Sequence, residues 1–346
     1  MIDVPLDSGA WRWDPAPPVF AEHRGRACVR LASDLSGLLA TLPDVALADG
    51  VVEADLLVGP ERKFPGVVWR VEDEENFESF FVRPHQVGNP DAIQYTPVFN
   101  GVSGWQLYHG EGFGAPIEFP LDGWFTIRVV FSGSRAQAYV ADLERPALQI
   151  RELKRTPAAG GVGLLASGPA VHVARFAYDT AAPVLEPLDA PKPAQGVIRT
   201  WLVSDAFPES ELAATPILED RAWTPLASEP IGLADLARIN GIRDGRNTVY
   251  ARAVIRSRTA QTKELVFGFS DRVVVFANGR RLYAGDYTYR SRDYRFLGTI
   301  GWFDRVYVPL EAGENELVFA VSEDFGGWGV QARFPDAAGL DGDALA

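Results

Sequence analysis

The sequence predicts an all-β protein made of β-sandwiches, and three observations support this fold class. Aromatic residues make up 11% of the 346 residues, and the chain contains 33 glycines and 25 prolines. Short apolar or alternating runs recur along the chain, and turn-forming residues bound each of them. Only one short segment, 232–238, has a helical pattern. Many short strands at this spacing are typical of a sandwich.

The first half of the chain contains five predicted strands. Apolar and polar residues alternate at the centre of the first run, as expected for a strand with one buried face. The fourth run follows the turn formers Asp122 and Gly123. The five runs are 51–58, 66–71, 77–83, 124–131 and 136–140.

A Pro- and Ala-rich stretch around residues 180–194 separates the two halves. It offers little apolar surface to pack, and proline favours an extended backbone, so we predict a semi-rigid linker over 181–197. The predicted first domain is therefore 1–180 and the predicted second domain is 198–335. Residues 336–346 contain mainly Ala, Gly, Asp and Leu and predict a flexible tail.

Strand signals resume after the linker. The pair Asn278-Gly279 between two apolar runs is the strongest hairpin signal in the chain, because both residues tolerate the positive φ of a type I′ turn. The predicted strands of this half are 197–203, 247–255, 264–269, 271–276, 280–283, 305–310, 316–321 and 329–334.

Composition excludes several classes of partner. The chain carries 33 Lys and Arg against 46 Asp and Glu, for a formal net charge of −13, whereas nucleic-acid binding needs a clustered cationic face. No run of 18 uncharged apolar residues is present, so no membrane span is predicted. The single cysteine, Cys28, excludes an intramolecular disulfide and is expected to be a small buried residue.

The N-terminus has no basic stretch followed by an apolar run, which is the pattern of a signal peptide. A cytoplasmic location is expected, unless the sequence begins after a removed signal. The oligomeric state does not follow from the sequence.

The residues from Asp49 to Tyr178 resemble a concanavalin A-like jelly roll of the laminin-G and glucanase kind. They are similar to the domain of 3-keto-disaccharide hydrolase-like proteins. The segments that carry the resemblance are 49–55, 64–70, 76–83, 124–129, 161–164 and 174–178. These motifs are structural, so the resemblance implies a fold more specifically than an activity.

The second half, from about Ile198 to Phe334, resembles a galactose-binding-like jelly roll, a fold found in accessory domains of glycoside hydrolases. The segments that carry this resemblance are 269–280, 310–317 and 326–329. The fold prediction is therefore two tandem jelly-roll β-sandwich domains. Both resemblances imply carbohydrate as the partner, and neither specifies a sugar.

One motif argues against a particular hydrolase reaction. Laminarinase-type members of the first family carry Glu-x-Asp-x-x-Glu on one strand, which places three carboxylates on one face. Here Glu53 and Asp55 match the first two positions, but Val58 replaces the third acid. The acid/base partner of that reaction is missing, so we interpret the segment as a half-exposed strand with polar residues facing outward.

The segment 83–109 is the richest in polar and aromatic residues, and loops of this kind often hold the functional site of a sandwich. Sugar sites need an aromatic platform together with planar polar groups. The candidate ligand-binding residues in this segment are Arg83, Gln94, Tyr95, Asn100, Trp105 and Tyr108. The alternative is a loop held by its own hydrogen bonds, with its aromatic side chains packed against the sheet.

Three residues of the same segment are candidate catalytic groups. His85 or His109 could act as a general base, with Asp91 as the orienting carboxylate. The spacing of the two histidines fits no short metal-ligand motif, so no metal-binding residues are predicted. Calcium fits an acidic chain better than a transition metal does, because it takes carboxylate and carbonyl oxygens. No other cofactor is indicated.

The second half contains a Tyr- and Arg-rich cluster over 283–295, in which Tyr289 and Arg292 are further ligand-binding candidates. The cluster could instead be an ion-paired surface or an interface between the domains.

Three functions follow from these observations. The leading hypothesis is a carbohydrate-binding protein that recognises a glycan through the polar and aromatic loop of the N-terminal sandwich. The first alternative is a glycoside hydrolase or lyase that uses His85, Asp91 and His109 as acid/base groups. The second alternative is a non-catalytic protein-interaction module.

Overall fold

The computed structural model describes residues 1–32, 37–181, 184–186, 188–189, 192–341 and 345. The chain divides into two compact units. The first unit comprises Met1–Val98 and Tyr108–Ala190, and the second comprises Phe99–Leu107 and Pro191–Ala346. Part of the predicted linker (182–183, 187 and 190–191) and part of the predicted tail (342–344 and 346) lie outside the described residues.

Strands β1 to β16 cover the chain up to residue 179, and all of them lie in the first unit except β10 and the last residue of β9, Phe99. Their bounds are β1 Ile2–Asp3, β2 Arg12–Asp14, β3 Val19–His23, β4 Arg26–Leu31, β5 Leu38–Leu47, β6 Gly50–Leu57, β7 Gly66–Asp73, β8 Asn76–Val82, β9 Ile93–Phe99, β10 Val102–Ser103, β11 Gly114–Ala115, β12 Trp124–Ser132, β13 Arg135–Val140, β14 Leu148–Ile150, β15 Gly160–Ala166 and β16 Val171–Asp179.

The first unit is a sandwich of two antiparallel sheets. One sheet has the order β14-β13-β12-β6-β16-β4-β3, and the other contains the path β9-β8-β7-β15-β5-β2. The two sheets pack face to face, because every second residue of a strand enters the same core. On β6, for example, Val52, Ala54 and Leu56 are core residues, whereas Glu53 and Asp55 lie on the outer face.

Strands β17 to β27 all lie in the second unit. Their bounds are β17 Thr200–Ser204, β18 Trp223–Ala227, β19 Leu233–Asp235, β20 Thr248–Ser257, β21 Gln261–Ser270, β22 Arg272–Ala277, β23 Arg280–Asp286, β24 Asp304–Leu310, β25 Gly313–Ser322, β26 Gly329–Arg333 and β27 Leu340–Asp341.

The second unit is also a sandwich of two antiparallel sheets. Their orders are β18-β17-β20-β25-β22-β23 and β19-β26-β21-β24. The core between them is rich in aromatic residues and includes Trp201, Phe267, Phe319 and Trp328. The hairpin predicted at Asn278-Gly279 is confirmed: it joins β22 to β23, and both residues have positive φ.

The all-β fold class, with two sandwiches in tandem, is confirmed. The helices among the described residues are three short 3₁₀ turns, Pro84–Gln86, Glu209–Glu211 and Leu236–Arg238. None of them is long and apolar enough to cross a membrane. The helical pattern at 232–238 divides into strand β19 and the last of these turns, because Asp235 caps the turn by accepting a hydrogen bond from the Ala237 amide at 3.1 Å.

Residues 99–107 differ from the predicted domain boundaries. They lie inside the range predicted for the first domain, yet they belong to the second unit. The physical reason is burial: Val102 is 7% exposed and is a member of the second unit's core, and Phe99 packs against that core. The predicted loop 83–109 is therefore divided between the two units.

Candidate functional site

Three aromatic side chains from separate loops meet in the second unit. Trp105 comes from the segment 99–107, Tyr289 follows β23, and Phe325 follows β25. The ring centroid of Trp105 lies 6.0 Å from that of Tyr289 and 6.0 Å from that of Phe325, and Tyr289 and Phe325 are 5.6 Å apart. We call these residues the aromatic triad. Phe325 is 47% exposed and the other two rings are half-buried, so the triad presents apolar surface to solvent.

The triad is fixed by a buried residue next to Trp105. Gln106 is fully buried, and its backbone amide donates to the Gly326 carbonyl at 2.7 Å. Its side-chain amide donates to the Leu297 carbonyl at 2.7 Å, and its Oε1 accepts from Ser270 Oγ at 3.2 Å. Gly326 has a φ of 111°, and a Cβ at this position would collide with the Gln106 carboxamide. These contacts tie Trp105 and Phe325 to one scaffold.

A buried carboxyl group holds the backbone of Phe325. Asp271 Oδ2 accepts a hydrogen bond from the Asp324 amide at 3.1 Å, and the Asp271 carboxyl also accepts from the Phe325 amide. Asp271 is fully buried, and among the described residues its Oδ1 has no hydrogen-bond partner. Burial raises the pKa of Asp271 to about 6.

The neighbouring acids have different environments. Glu323 is fully buried, and its Oε1 accepts from the Gly327 amide at 3.2 Å. Burial raises the pKa of Glu323 well above its usual range, and the nearby Asp271 carboxyl adds to this effect. By contrast, Arg272 forms an ion pair with Asp324 at 2.7 Å and lowers the pKa of that carboxyl. The loop after β25 therefore contains one acid that is paired with an arginine, Asp324, and one buried acid whose pKa is raised, Glu323.

Tyr95 and Tyr108, predicted as parts of a sugar platform, are both buried in the first unit. Tyr95 lies on β9 and faces the core. Its hydroxyl donates to Glu78 Oε2 at 2.7 Å and accepts from the Lys154 amide at 2.7 Å. The platform prediction is wrong for these two tyrosines, because a buried ring cannot stack on a ligand in solvent.

Arg83 and Gln94 are also buried, and they hold the loop together. Arg83 donates from Nη1 to the Asp91 carbonyl at 2.8 Å and from Nη2 to Gln94 Oε1. Gln94 Nε2 in turn donates to the Tyr108 carbonyl at 2.6 Å. Burial lowers the pKa of Arg83 to about 10. This arrangement matches the alternative of a loop held by its own hydrogen bonds.

The three candidate catalytic residues lie in the first unit. His85 is half-buried against Phe64, with ring centroids 5.5 Å apart, and His109 is exposed. Burial, together with Arg62 and Arg83, lowers the pKa of His85 to about 4. Its Nδ1 has no hydrogen-bond partner within the described part of the chain, so Asp91 does not orient His85 through that nitrogen.

Asn100 and Arg292 belong to the second unit. Asn100 donates from Nδ2 to the Ala237 carbonyl at 2.7 Å, which makes it a structural anchor of the segment 99–107. Arg292 is exposed, and its guanidinium lies 4.4 Å from the ring centroid of Tyr287 and 4.9 Å from that of Phe296. Of the predicted ligand-binding residues, the structure brings only Trp105 and Tyr289 into direct contact with each other at a partly exposed site.

Sequence reasoning missed Phe325, Gln106 and Asp271. A signal for Phe325 was present, because the adjacent Gly326 and Gly327 mark a loop in which the backbone passes close to other groups. Nothing local in the sequence identified Asp271, since its significance depends on burial.

The acids on β6 are ion-paired on the outer face of their sheet. Glu53 accepts from Arg128 Nε at 2.6 Å and also pairs with Arg175. Asp55 accepts from Arg26 at 2.5 Å and from Thr126 Oγ1 at 2.8 Å. These contacts fit the polar outer face expected from the sequence, although both acids are more buried than half-exposed. Within the described residues, no group of three or more His, Cys, Asp or Glu side chains could hold a metal ion.

No protein-family model and no curated protein sequence matches this chain. Among solved structures it is similar to the carbohydrate-binding module CBM66 from Bacillus subtilis, with TM-score 0.39 and 13% identity over 50% of this chain and 97% of that one. It is also similar to a Bacillus subtilis protein of unknown function with a galectin-like fold (TM-score 0.39, 10% identity, 53% and 98% covered). A third is the exoplasmic/lumenal domain of VIP36 bound to Ca²⁺ and Man₃GlcNAc (TM-score 0.38, 14% identity, 54% and 90% covered). These comparisons assign the chain to no family.

Proposed function

We propose that the protein binds carbohydrate through the aromatic triad of the second unit. The observation that carries this proposal is the convergence of Trp105, Tyr289 and Phe325 at a partly exposed position. A sugar ring has an apolar face of C–H groups that packs on aromatic rings, and its hydroxyl groups need polar partners at the rim. The resemblance of both halves to sugar-associated folds is in keeping with this ligand class.

The proposed site differs from the one expected from the sequence. The sequence predicts a site in the loop 83–109 of the first sandwich, but Trp105 belongs to the second unit, and Tyr95 and Tyr108 are buried. We keep carbohydrate as the proposed ligand and propose that its site lies in the second unit.

The hydrogen bonds of Gln106 and Asp271 give the proposed site a fixed geometry before any ligand binds. Preorganisation of this kind lowers the entropic cost of binding, because the ligand need not order the loops that carry the aromatic side chains.

The test is isothermal titration calorimetry after a thermal-shift screen of mono- and oligosaccharides with the full chain. A sugar that binds only the folded state raises the melting temperature by mass action. For that sugar, Trp105→Ala and Phe325→Ala should each weaken binding about tenfold or more, as expected for aromatic residues that dominate an interface. Tyr307→Ala is the matched control, since Tyr307 is 69% exposed on β24 and is not part of the triad. Unchanged affinity in both triad variants would overturn the proposal.

The hydrolase or lyase alternative remains a prediction that a separate assay can address. The bound sugar would be incubated with the protein and with His85→Ala, and the products analysed by chromatography. With a pKa near 4, His85 is neutral at pH 7 and a weak base, so we expect no His85-dependent turnover. If no sugar binds at all, the protein-interaction alternative becomes the leading one.

A further inference from the structure

The loop that carries Tyr289 contains a local excess of basic residues. The chain has a formal net charge of −13, yet residues 289–295 contain three arginines and one carboxylate. Arg290, Arg292 and Arg295 are all exposed. A local excess of positive charge on an acidic protein attracts anions to that face.

The arginine nearest the aromatic triad has a defined position. The Arg290 guanidinium lies 4.9 Å from the ring centroid of Tyr289, a member of the triad. In the described part of the chain, neither Arg290 nor Arg292 forms an ion pair, whereas Arg295 lies 3.5 Å from Asp293. Two guanidinium groups of this loop therefore have no carboxylate partner among the residues that the structure describes.

Among the described residues, the acids close to the triad form no ion pair with Arg290 or Arg292. Asp324, next to Phe325, is paired with Arg272, which also binds Glu209 at 2.7 Å. Asp271 and Glu323 are fully buried, and burial raises the pKa of each. Arg290 therefore places a cationic group beside the triad that has no carboxylate partner among the described residues.

We infer that the ligand of the aromatic triad is a uronic-acid saccharide, with Arg290 binding its carboxylate and Arg292 adding attraction from the same loop. This inference rests on the proposed function. A guanidinium presents a planar fork of N–H donors that matches the geometry of a carboxylate, and it can do so while stacked on a tyrosine ring. The pyranose ring packs on the triad and the carboxylate points to Arg290.

The test compares two forms of the same sugars by calorimetry with the full chain. The probes are oligomers of galacturonate, glucuronate and mannuronate, each paired with its carboxyl-reduced neutral counterpart, which keeps the linkage and ring stereochemistry. At least one acidic oligomer should bind, and its reduced counterpart should bind about tenfold more weakly, the effect of losing one charge-assisted hydrogen-bonded contact. Its affinity should fall as NaCl is increased, because exposed charges are screened.

Two variants locate the effect. Arg290→Gln should lower the affinity for the acidic oligomer about tenfold and leave the affinity for the neutral one unchanged. The backbone of Arg290 has a positive φ of 63°. Arg and Gln both carry a Cβ, so the substitution should not change the backbone strain at this position. Arg145→Gln is the control, since its side chain is 88% exposed in the first unit.

The outcomes separate this inference from the proposed function. Equal or tighter binding of the neutral counterparts, binding of other neutral sugars only, or an acidic preference that survives Arg290→Gln would overturn the uronate inference while leaving carbohydrate binding intact. If the wild-type protein binds no sugar, or if binding is unaffected by Trp105→Ala and Phe325→Ala, the proposed function itself is overturned.

Discussion

Tyr95 and Trp105 are ten positions apart in one predicted loop, and their environments in the structure are opposite. Tyr95 is fully buried on β9 of the first unit, with both hydrogen-bonding capacities of its hydroxyl in use. Trp105 lies beyond the end of β9, in the second unit, and contributes to a partly exposed triad. An aromatic residue in a strand takes the side that the alternation gives it, whereas one in a loop is placed by whatever anchors the loop.

The two regions also treat a buried acid differently. In the first, Glu78 receives hydrogen bonds from the Tyr95 hydroxyl and the Arg155 amide, with burial raising its pKa to about 7. In the second, Asp271 has one oxygen without a partner among the described residues, and its pKa is raised to about 6. The first region therefore satisfies its buried acid with hydrogen bonds, whereas the second keeps an incompletely satisfied buried acid, which lowers stability, beside the proposed binding site.

The largest expected difference between the regions is in stability. Tyr95→Ala should lower the free energy of unfolding by about 3–5 kcal/mol, since it opens a cavity and strips a donor from Glu78. Trp105→Ala should change it by no more than about 1 kcal/mol, because the ring is half-buried at the surface. Urea unfolding of both variants and of the wild-type protein measures these changes in the free energy of unfolding. Similar losses in the two would show that the triad is a structural cluster.

A smaller change isolates the hydroxyl of Tyr95. Tyr95→Phe keeps the ring but removes the donor to Glu78 and the acceptor for the Lys154 amide, at a cost of about 2 kcal/mol. The loss should increase as pH rises through 7, because the hydroxyl stabilises the ionised form of Glu78 and lowers its pKa. Unfolding curves between pH 5 and 9 test this dependence, and a loss independent of pH would show that Glu78 is not the group involved.

The smallest effect has the opposite sign. Asp271→Asn should stabilise the protein by about 1 kcal/mol at pH 8, because the neutral amide avoids a buried charge, which outweighs two N–H donors placed where Asp271 Oδ1 has no partner among the described residues. The folded-state pKa of about 6 lies above the unfolded value of 3.8. The wild-type protein therefore loses stability from this group as pH rises from about 4 to about 6, and the advantage of the variant should grow over that window.

Asp324→Asn is the control for that experiment. Arg272 lowers the pKa of Asp324, so ionised Asp324 stabilises the fold, and removing its charge should destabilise the protein at neutral pH. If Asp271→Asn is destabilising at pH 8 as well, the Asp271 carboxylate is compensated by a group other than its two amide donors.

The fold could be predicted because its determinants are local. Alternation along β6 and β12 separates core residues from outer-face residues, and Asn278-Gly279 specifies a turn by its backbone preference alone. The short helical pattern at 232–238 was the exception, since three of its residues pair with β26 instead. Tertiary pairing overrode a weak local preference there.

The site could be predicted only in part. Trp105 and Tyr289 were identified by residue type, but their contact links positions 184 residues apart and depends on the carboxamide of Gln106. The buried tyrosines could not be distinguished from Trp105 by composition, because the end of β9 at Phe99 was not visible in the sequence. Asp271 looks like an ordinary turn acid until its burial is known.

Residues 99–107 belong to the second unit, although first-unit residues flank them in sequence, and this affects how the protein can be cut into fragments. A gene fragment that starts after the linker encodes most of the second unit but omits Trp105 and Gln106, and the complementary fragment carries a nine-residue segment whose partners are missing. The proposed sugar-binding surface is thus not contained in a single continuous fragment of the chain. A peptide of residues 99–107, added to the fragment that starts after the linker, would supply Trp105 and Gln106 again, and measuring its binding would show whether the site can assemble from two pieces.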